Sequence, residues 1–211
     1  MATALLEPPV SPVAPPPKPD SEAADLQAAG HRATAPGQSL QENNPPPQAI
    51  IEIVDGEPIE REAMGLEAGY AAGECYAELR TYARERGGVA FPDGSCFRAF
   101  GPDGTRPRFP DASYVAAGRL ESIPRGVGEL APDLCVEVVS PHDRFTDVRA
   151  KVEEYFAAGV REVWVIDPAV RTVDAYRPDA IRTYRPGGVL TCDDVLPGFQ
   201  LAVDGLFPTT G

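Results

Sequence analysis

The clearest pattern in the chain is a strand, a helix and a second strand in its second half. Segment 134–139 is almost continuously apolar, which is typical of a strand buried on both faces, and Pro141 ends it. Segment 143–158 predicts a helix closed by Gly159, with one apolar stripe formed by Val148, Val152, Tyr155 and Phe156. Segment 162–167 is a second apolar strand. This order predicts a βαβ crossover between parallel strands.

The remaining ordered sequence predicts antiparallel strands and one more helix. The predicted elements are a strand and turn at 50–60, a helix at 66–86 ended by Gly87-Gly88, short strands at 89–91, 96–100 and 110–116, and a returning strand at 171–176. The three short strands are expected to form a meander. The predicted fold is therefore α/β, with a mixed central sheet flanked by helices.

Residues 1–48 differ in composition from everything that follows. They hold 11 of the 24 prolines and almost no aromatic residues. Such a segment cannot bury enough apolar surface to offset its ordering entropy, so a disordered, partly polyproline-II tail is predicted. It serves either as a linker or as a docking arm for a proline-recognising partner. Residues 49–211 then form a single domain.

Composition narrows the class of protein. The formal net charge of -13 disfavours broad, non-specific coating of nucleic acid but is compatible with a local basic cleft. Only His31 and His142 are present, which argues against a two-histidine zinc site or a Ser-His-Asp triad. The four cysteines lack CxxC spacing, and no stretch approaches the roughly 20 apolar residues of a membrane helix. A cytoplasmic protein without membrane spans is expected.

Glu137 is the unusual residue of the apolar strand, because a carboxylate is rarely buried unless it is paired or binds a metal. An ion pair with an arginine, or an edge position open to water, would explain it structurally. A cation would need a second carboxylate nearby, and adjacent strands lie only about 4.8 Å apart. Asp111, at the entry of the preceding predicted strand, is the candidate. Its structural explanation is an ordinary turn or strand-start aspartate.

Lys151 lies at the margin of the predicted helix's apolar stripe, about 40° from Tyr155 on the helical wheel. A lysine there can bend its ammonium group back towards the sheet. Alternatively, Lys151 pairs with Asp147 on the helix surface, a contact worth only a few tenths of a kcal/mol. Periodicity alone favours the surface pair.

Taken together, these segments resemble the bacterial Uma family of putative restriction endonucleases, which belongs to the PD-(D/E)XK nuclease superfamily. The resemblance spans about residues 50–208. It is carried by PDASYV at 110–115, PDLCVEVVSPHDR at 132–144, Lys151 with Tyr155, GVREVWVIDP at 159–168 and the following TVDAYRP, with weaker matches in VDGEPIE and GSCFR. It implies a restriction-endonuclease-like core in residues 49–211.

The resemblance also implies the site residues. The superfamily's aspartate falls on Asp111 and its second acid on Glu137. The usual lysine position, two residues after the acid, holds Val139, and Lys151 on the following helix takes the lysine's place. An additional acid from the first helix falls on Glu74.

This set has the chemistry of a phosphodiesterase. Asp111, Glu137 and the Val138 carbonyl offer three oxygen ligands to Mg²⁺, with Mn²⁺ as a substitute. Lys151 would orient the attacking water and stabilise negative charge in the transition state. Four arginines would contact backbone phosphates, namely Arg106, Arg108, Arg144 and Arg149.

The resemblance implies a Mg²⁺-dependent endonuclease that acts on DNA and that can form a homodimer. A catalytically inactive nuclease-fold protein that binds nucleic acid or a protein partner is the alternative. The net charge and Val139 favour the alternative, whereas the complete set of Asp111, Glu137 and Lys151 favours the enzyme. A metal-dependent hydrolase of a smaller phosphoester would use the same site.

Overall fold

The structure, a computed structural model, describes residues 49–54, 57–141 and 143–208. The predicted proline-rich tail at 1–48 and His142 lie outside the described residues. The elements, in chain order, are β1 (Ala49–Val54), β2 (Glu57–Glu62), α1 (Leu66–Arg86), β3 (Val89–Pro92), β4 (Phe97–Phe100), β5 (Arg106–Arg108), β6 (Ala112–Val115), β7 (Leu134–Val138), α2 (Phe145–Ala157), β8 (Glu162–Asp167), β9 (Thr172–Arg177), β10 (Ala180–Tyr184), β11 (Val189–Cys192), β12 (Leu196–Ala202) and a 3₁₀ turn at Val203–Leu206.

A six-stranded mixed sheet organises the domain, in the order β10-β9-β8-β7-β6-β3. β7 and β8 are parallel, and α2 connects them as the predicted crossover. Every other neighbouring pair in this sheet is antiparallel. The prediction of an α/β fold with a mixed central sheet is confirmed.

The two helices cover opposite faces of this sheet, and alternation along β7 divides its side chains between them. Leu134, Val136 and Val138 belong to the core that includes the buried residues of α1. Cys135 belongs to the second core, which contains Val152 and Tyr155 of α2. Glu137 shares the face of Cys135 and therefore points towards α2.

The strands between α1 and β6 differ from the predicted meander. β4 and β5 form a separate two-stranded sheet, and β3 pairs directly with β6. The reason is that the β4–β5 hairpin closes locally over α2, where the Phe100 ring packs edge-on against Tyr155 at 5.1 Å between centroids. A pattern of apolar residues identifies such strands but not their partners.

Two further hairpins lie outside the central sheet. β1 and β2 pair antiparallel from Ala49↔Glu62 to Val54↔Glu57, and the turn predicted between them, at Asp55-Gly56, lies outside the described residues. β11 pairs with β12 and contributes apolar side chains to the core on the α1 side. Within the part of the chain that the structure describes, neither helix is long and apolar enough to cross a membrane.

Candidate active site

Asp111 and Glu137 lie opposite each other on neighbouring strands. β6 pairs with β7 through Ala112↔Val136 and Ser113↔Cys135, and one further step along this register brings Asp111 to Glu137. The Asp111 amide donates a hydrogen bond to the Val136 carbonyl at 2.9 Å, which holds the residue before β6 against β7. Both carboxylates are buried, with 9% and 7% of their surface exposed. Two largely buried acids thus share one site.

Glu137 is held by two side chains that stand one turn apart on α2. The Lys151 Nζ lies 2.9 Å from the Glu137 Oε2, and the Tyr155 hydroxyl donates a short hydrogen bond to the Oε1. Positions four residues apart lie on the same face of a helix, so the lysine and the tyrosine reach the same carboxylate. Lys151 therefore points to the sheet, where it pairs with Glu137 rather than forming the expected surface pair with Asp147.

Burial and the neighbouring charge raise the pKa of Asp111. Desolvation is the main cause, the Glu137 carboxylate adds to it, and the Val138 amide, which donates to the Asp111 Oδ2 at 2.6 Å, opposes it. The resulting pKa is about 8. A carboxyl group with such a pKa holds its proton at neutral pH unless a cation compensates its charge.

The raised pKa leads to a prediction for the metal-free protein. The unfolded pKa of an aspartate is about 3.9, so the folded state holds an extra proton between about pH 4 and pH 8 and loses stability as pH rises through this window. Asp111→Asn removes the titration and keeps an oxygen acceptor for the Val138 amide. We expect it to be stabilising by about 1 kcal/mol or more at pH 8, with a smaller gain at pH 5.

Urea unfolding in the presence of chelator, between pH 5 and pH 8, measures this difference. Asp179→Asn, at an exposed position beyond β9, is the matched control and should leave the pH profile unchanged. Destabilisation by Asp111→Asn across the whole range would show that the ionised carboxylate is needed for folding.

The protonation states of the two α2 residues follow from the same environment. Burial lowers the pKa of Lys151, but the charge and hydrogen bond of Glu137 outweigh it and hold the pKa above its usual value. Burial, followed by the Glu137 charge, raises the pKa of Tyr155 well above its usual value. Lys151 is therefore an ammonium ion and Tyr155 a neutral donor, and neither serves as a base at neutral pH.

The arrangement fits a hard divalent cation held by few protein ligands. In residues 49–54, 57–141 and 143–208, no cluster of three or more His, Cys, Asp or Glu is placed to bind a metal. Asp111 and Glu137 would thus be joined by the Val138 carbonyl and by oxygens from water or substrate, the pattern that Mg²⁺ prefers. The mutual repulsion of the two buried carboxylates supplies the electrostatic reason for binding a cation.

The comparison with protein families assigns the chain to one family. The model of the Uma2 family, described as "Putative restriction endonuclease", matches residues 38–204. The chain belongs to this family. The resemblance inferred from the sequence is therefore confirmed.

A solved structure supports the Uma2 fold. It is described as a putative nuclease belonging to DUF820 from Anabaena variabilis ATCC 29413, and it aligns with a TM-score of 0.61 and 22% sequence identity. The alignment covers 74% of this chain and 89% of the other. Among curated proteins, none matches the chain.

The four arginines expected at the phosphate backbone occupy two different settings in this Uma2 domain. Arg106 and Arg108 both pair with Glu154 of α2, with the Arg106 Nη1 at 2.8 Å and the Arg108 Nε at 2.9 Å from its carboxylate oxygens. Arg144 and Arg149 are exposed at the beginning of α2. Glu154 offsets much of the positive charge of the first pair, so that pair offers less attraction to phosphate than its sequence suggests.

The additional acid predicted at Glu74 is not among the charges that raise the pKa of Asp111, whereas Asp93 is. β3 pairs with β6 through Phe91↔Ser113 and Pro92↔Ala112, so one further step along this register brings Asp93 towards Asp111. Asp93 just after β3, Asp111 just before β6 and Glu137 on β7 therefore lie at the same end of three neighbouring strands. Because Asp93 lies in a Pro-Asp-Gly turn, the sequence marks it as an ordinary turn residue.

Asp143 and Tyr155 were also missed as site residues by sequence reasoning. Asp143 lines the cleft of about 340 Å³ that contains Asp111 and Glu137, and its charge raises the pKa of Lys151. Tyr155 occupies an apolar stripe, where an aromatic residue is usually core, and only the β7 register reveals that its hydroxyl meets a carboxylate. The scarcity of lysine was a usable signal for the site, because Lys18 and Lys151 are the only two lysines in the chain and only Lys151 lies among the residues that the structure describes.

Proposed function

We propose that this Uma2-family protein is a Mg²⁺-dependent endonuclease that hydrolyses phosphodiester bonds in DNA. The observation that carries the proposal is the closeness of two buried carboxylates, Asp111 and Glu137, in one cleft, with the Lys151 ammonium group 2.9 Å from Glu137. Family membership supports a nuclease, and the site supports a mechanism based on a cation and an ammonium group.

The carboxylates would bind the cation and fix its position. Asp111 and Glu137 would each give one oxygen, and the Val138 carbonyl a third, while water and a phosphate oxygen complete the shell. When bound, Mg²⁺ lowers the pKa of a coordinated water and polarises the phosphate. Asp111 would give up its proton as the cation binds, so affinity is expected to rise with pH.

Lys151 would act on the reacting atoms as a charged donor. Its ammonium group would orient the attacking water and stabilise charge that develops on the phosphoryl oxygens. Tyr155 would position Glu137 by holding the oxygen that Lys151 does not contact. Since Lys151 remains protonated, the proton of the attacking water must leave to solvent or to a phosphate oxygen.

The experiment that tests this mechanism is the substitution Lys151→Ala. The cation is bound by oxygens, so Mg²⁺ binding should persist, whereas cleavage should slow at least about a hundredfold, or about 2.7 kcal/mol of transition-state stabilisation. Plasmid and labelled single strands are incubated with Mg²⁺, with Mn²⁺ and with chelator. Lys151→Arg keeps the charge but changes its shape, and it should recover only part of the rate.

Arg80→Ala is the matched control, since it removes an exposed positive charge from α1, away from the site. It should leave cleavage unchanged. Undiminished cleavage by Lys151→Ala would remove the lysine from the mechanism. Binding of nucleic acid without cleavage under any metal condition would instead indicate the non-catalytic alternative, and cleavage of small phosphodiesters alone would indicate a different substrate.

A further inference from the structure

A second cavity, of about 510 Å³, lies beside the carboxylate cleft, and we call it the Phe109 cavity. Its apolar lining comes from β3, β4, the segment between β5 and β6 and the loop that follows β6, and it includes Phe91, Phe97, Phe109, Leu120, Ile123 and Val127. Phe109 also lines the cleft that holds Asp111 and Glu137. One side chain, two residues before Asp111, thus separates the two spaces.

We propose that the Phe109 cavity binds one unpaired nucleobase of the DNA whose phosphate would bind the cation at Asp111 and Glu137. The inference rests on the proposed nuclease function and specifies the form of its substrate. The nucleotide next to the scissile phosphate would turn its base away from its neighbours and insert it beside Phe109. The substrate is therefore single-stranded DNA, or a strand opened at that position.

The lining has the chemistry of a base-stacking site. Phe91 and Phe109 are partly exposed and can offer ring surface to a base. Phe97, only 2% exposed, packs edge to face against Phe91 with 5.4 Å between ring centroids and holds it in place. Bases stack on aromatic rings with little dependence on sequence, and each such contact contributes about 1–3 kcal/mol. Ser95 and the peptide groups of Gly94 and Gly126 offer hydrogen-bonding partners for a base edge.

The packing of Phe97 also explains why the cavity wall contains a glycine. A Cβ atom at Gly128 would lie 2.9 Å from the Phe97 Cδ1, closer than side chains approach one another. The Gly128 carbonyl accepts a hydrogen bond from the Arg98 amide at 2.8 Å, and the Gly128 amide donates to the Cys96 carbonyl at 2.9 Å. The loop is therefore fixed against β4, so the cavity is preformed.

Charge favours this occupant over a paired duplex. The chain carries a net charge of -13, and Glu154 already pairs with Arg106 and Arg108, so contacts with phosphates contribute less affinity than four free arginines would. Stacking adds affinity that does not depend on positive charge. Bases in an intact duplex are stacked on one another and do not reach an apolar cavity unless they are extruded.

The test compares three probes on the full chain carrying Lys151→Ala, in the presence of Mg²⁺, because this variant should keep the cation that binds the phosphate and should cleave slowly. The probes are a labelled single-stranded DNA, a strand of equal length and charge in which every base is replaced by an abasic spacer, and the intact duplex. Fluorescence anisotropy should show that the single strand binds at least tenfold more tightly than either of the others.

Two exposed aliphatic residues provide matched variants. Ile123, 62% exposed, lines the cavity, whereas Val170, 64% exposed, lies in the turn between β8 and β9. Ile123→Glu should weaken binding of the single strand at least tenfold and leave the abasic strand unaffected. Val170→Glu should change neither. Both positions face solvent, so both variants should fold, and their melting temperatures verify it.

Equal affinity for the single strand and the abasic strand would overturn the proposal, as would equal effects of the two glutamate variants or binding of none of the probes. A parallel cleavage assay of the wild-type chain with Mg²⁺ separates this proposal from the nuclease function. Cleavage that accompanies base-independent binding rejects the cavity and leaves the nuclease. Base-dependent binding without cleavage under any metal condition rejects the nuclease and leaves the cavity.

Discussion

Replacing Glu137 by glutamine should abolish cleavage while the fold persists. The amide keeps an oxygen for the Tyr155 hydroxyl but removes the charge that would hold the cation and that pairs with Lys151. We expect a loss of at least about a thousandfold in cleavage rate, or about 4 kcal/mol. The expected loss exceeds that for Lys151→Ala because the cation itself is no longer held.

The same variant should lose its stabilisation by metal. A ligand at 100 times its dissociation constant stabilises a folded protein by about 2.7 kcal/mol, so the wild-type melting temperature should rise with Mg²⁺ and that of Glu137→Gln should not. Glu153→Gln, at an exposed position on α2, is the matched control. Full activity and unchanged metal response in Glu137→Gln would overturn the mechanism, whatever the outcome for Lys151.

Trp164→Ala should destabilise the domain by about 3 to 5 kcal/mol or prevent its folding. Trp164 is fully buried on β8, and its ring stacks on Phe199 of β12 with 5.7 Å between centroids. Its Nε1 donates a hydrogen bond to the Glu162 Oε1 at 2.7 Å. Alanine would leave a cavity between the central sheet and the β11–β12 hairpin and would remove one partner of a buried carboxylate.

Urea unfolding measures this loss, and Val170→Ala, at an exposed position, is expected to change stability by less than about 0.5 kcal/mol. Trp164→Phe should recover part of the packing but not the hydrogen bond to Glu162. Wild-type stability in Trp164→Ala, combined with loss of nucleic-acid binding, would assign the tryptophan to a ligand site instead of the core.

Local patterns in the sequence predicted the elements that carry the site. The helix predicted at 66–86 agrees with α1, and the strand predicted at 162–167 agrees with β8. Both are long or strongly apolar segments with glycine or proline at their ends, where periodicity and end signals act together. The opposition of Asp111 and Glu137 was foreseen because the spacing between neighbouring strands restricts where a second carboxylate can lie.

Contacts between distant segments could not be read from such patterns. The pairing of Arg106 and Arg108 with Glu154 joins residues that are more than 40 positions apart, and the sequence gives each of them the appearance of a surface charge. Tyr155 looked like an ordinary core residue for the same reason. A register or a helix rotation decides these contacts, and both are set by the assembled sheet.

The position of Lys151 on α2 makes catalytic activity depend on the packing of this helix against the sheet. When lysine and acid share one strand, two intervening peptide bonds keep them together even in a loosened domain. In this protein Lys151 and Glu137 are held together by the packing of α2 on the sheet, through the buried side chains of Val152 and Tyr155. Cleavage activity should therefore require α2 to be packed on the sheet. On warming, activity should be lost when α2 detaches, even at temperatures at which the sheet is still folded. For the same reason, substitutions of Val152, which is buried between α2 and the sheet and has no polar side-chain group, should alter the cleavage rate.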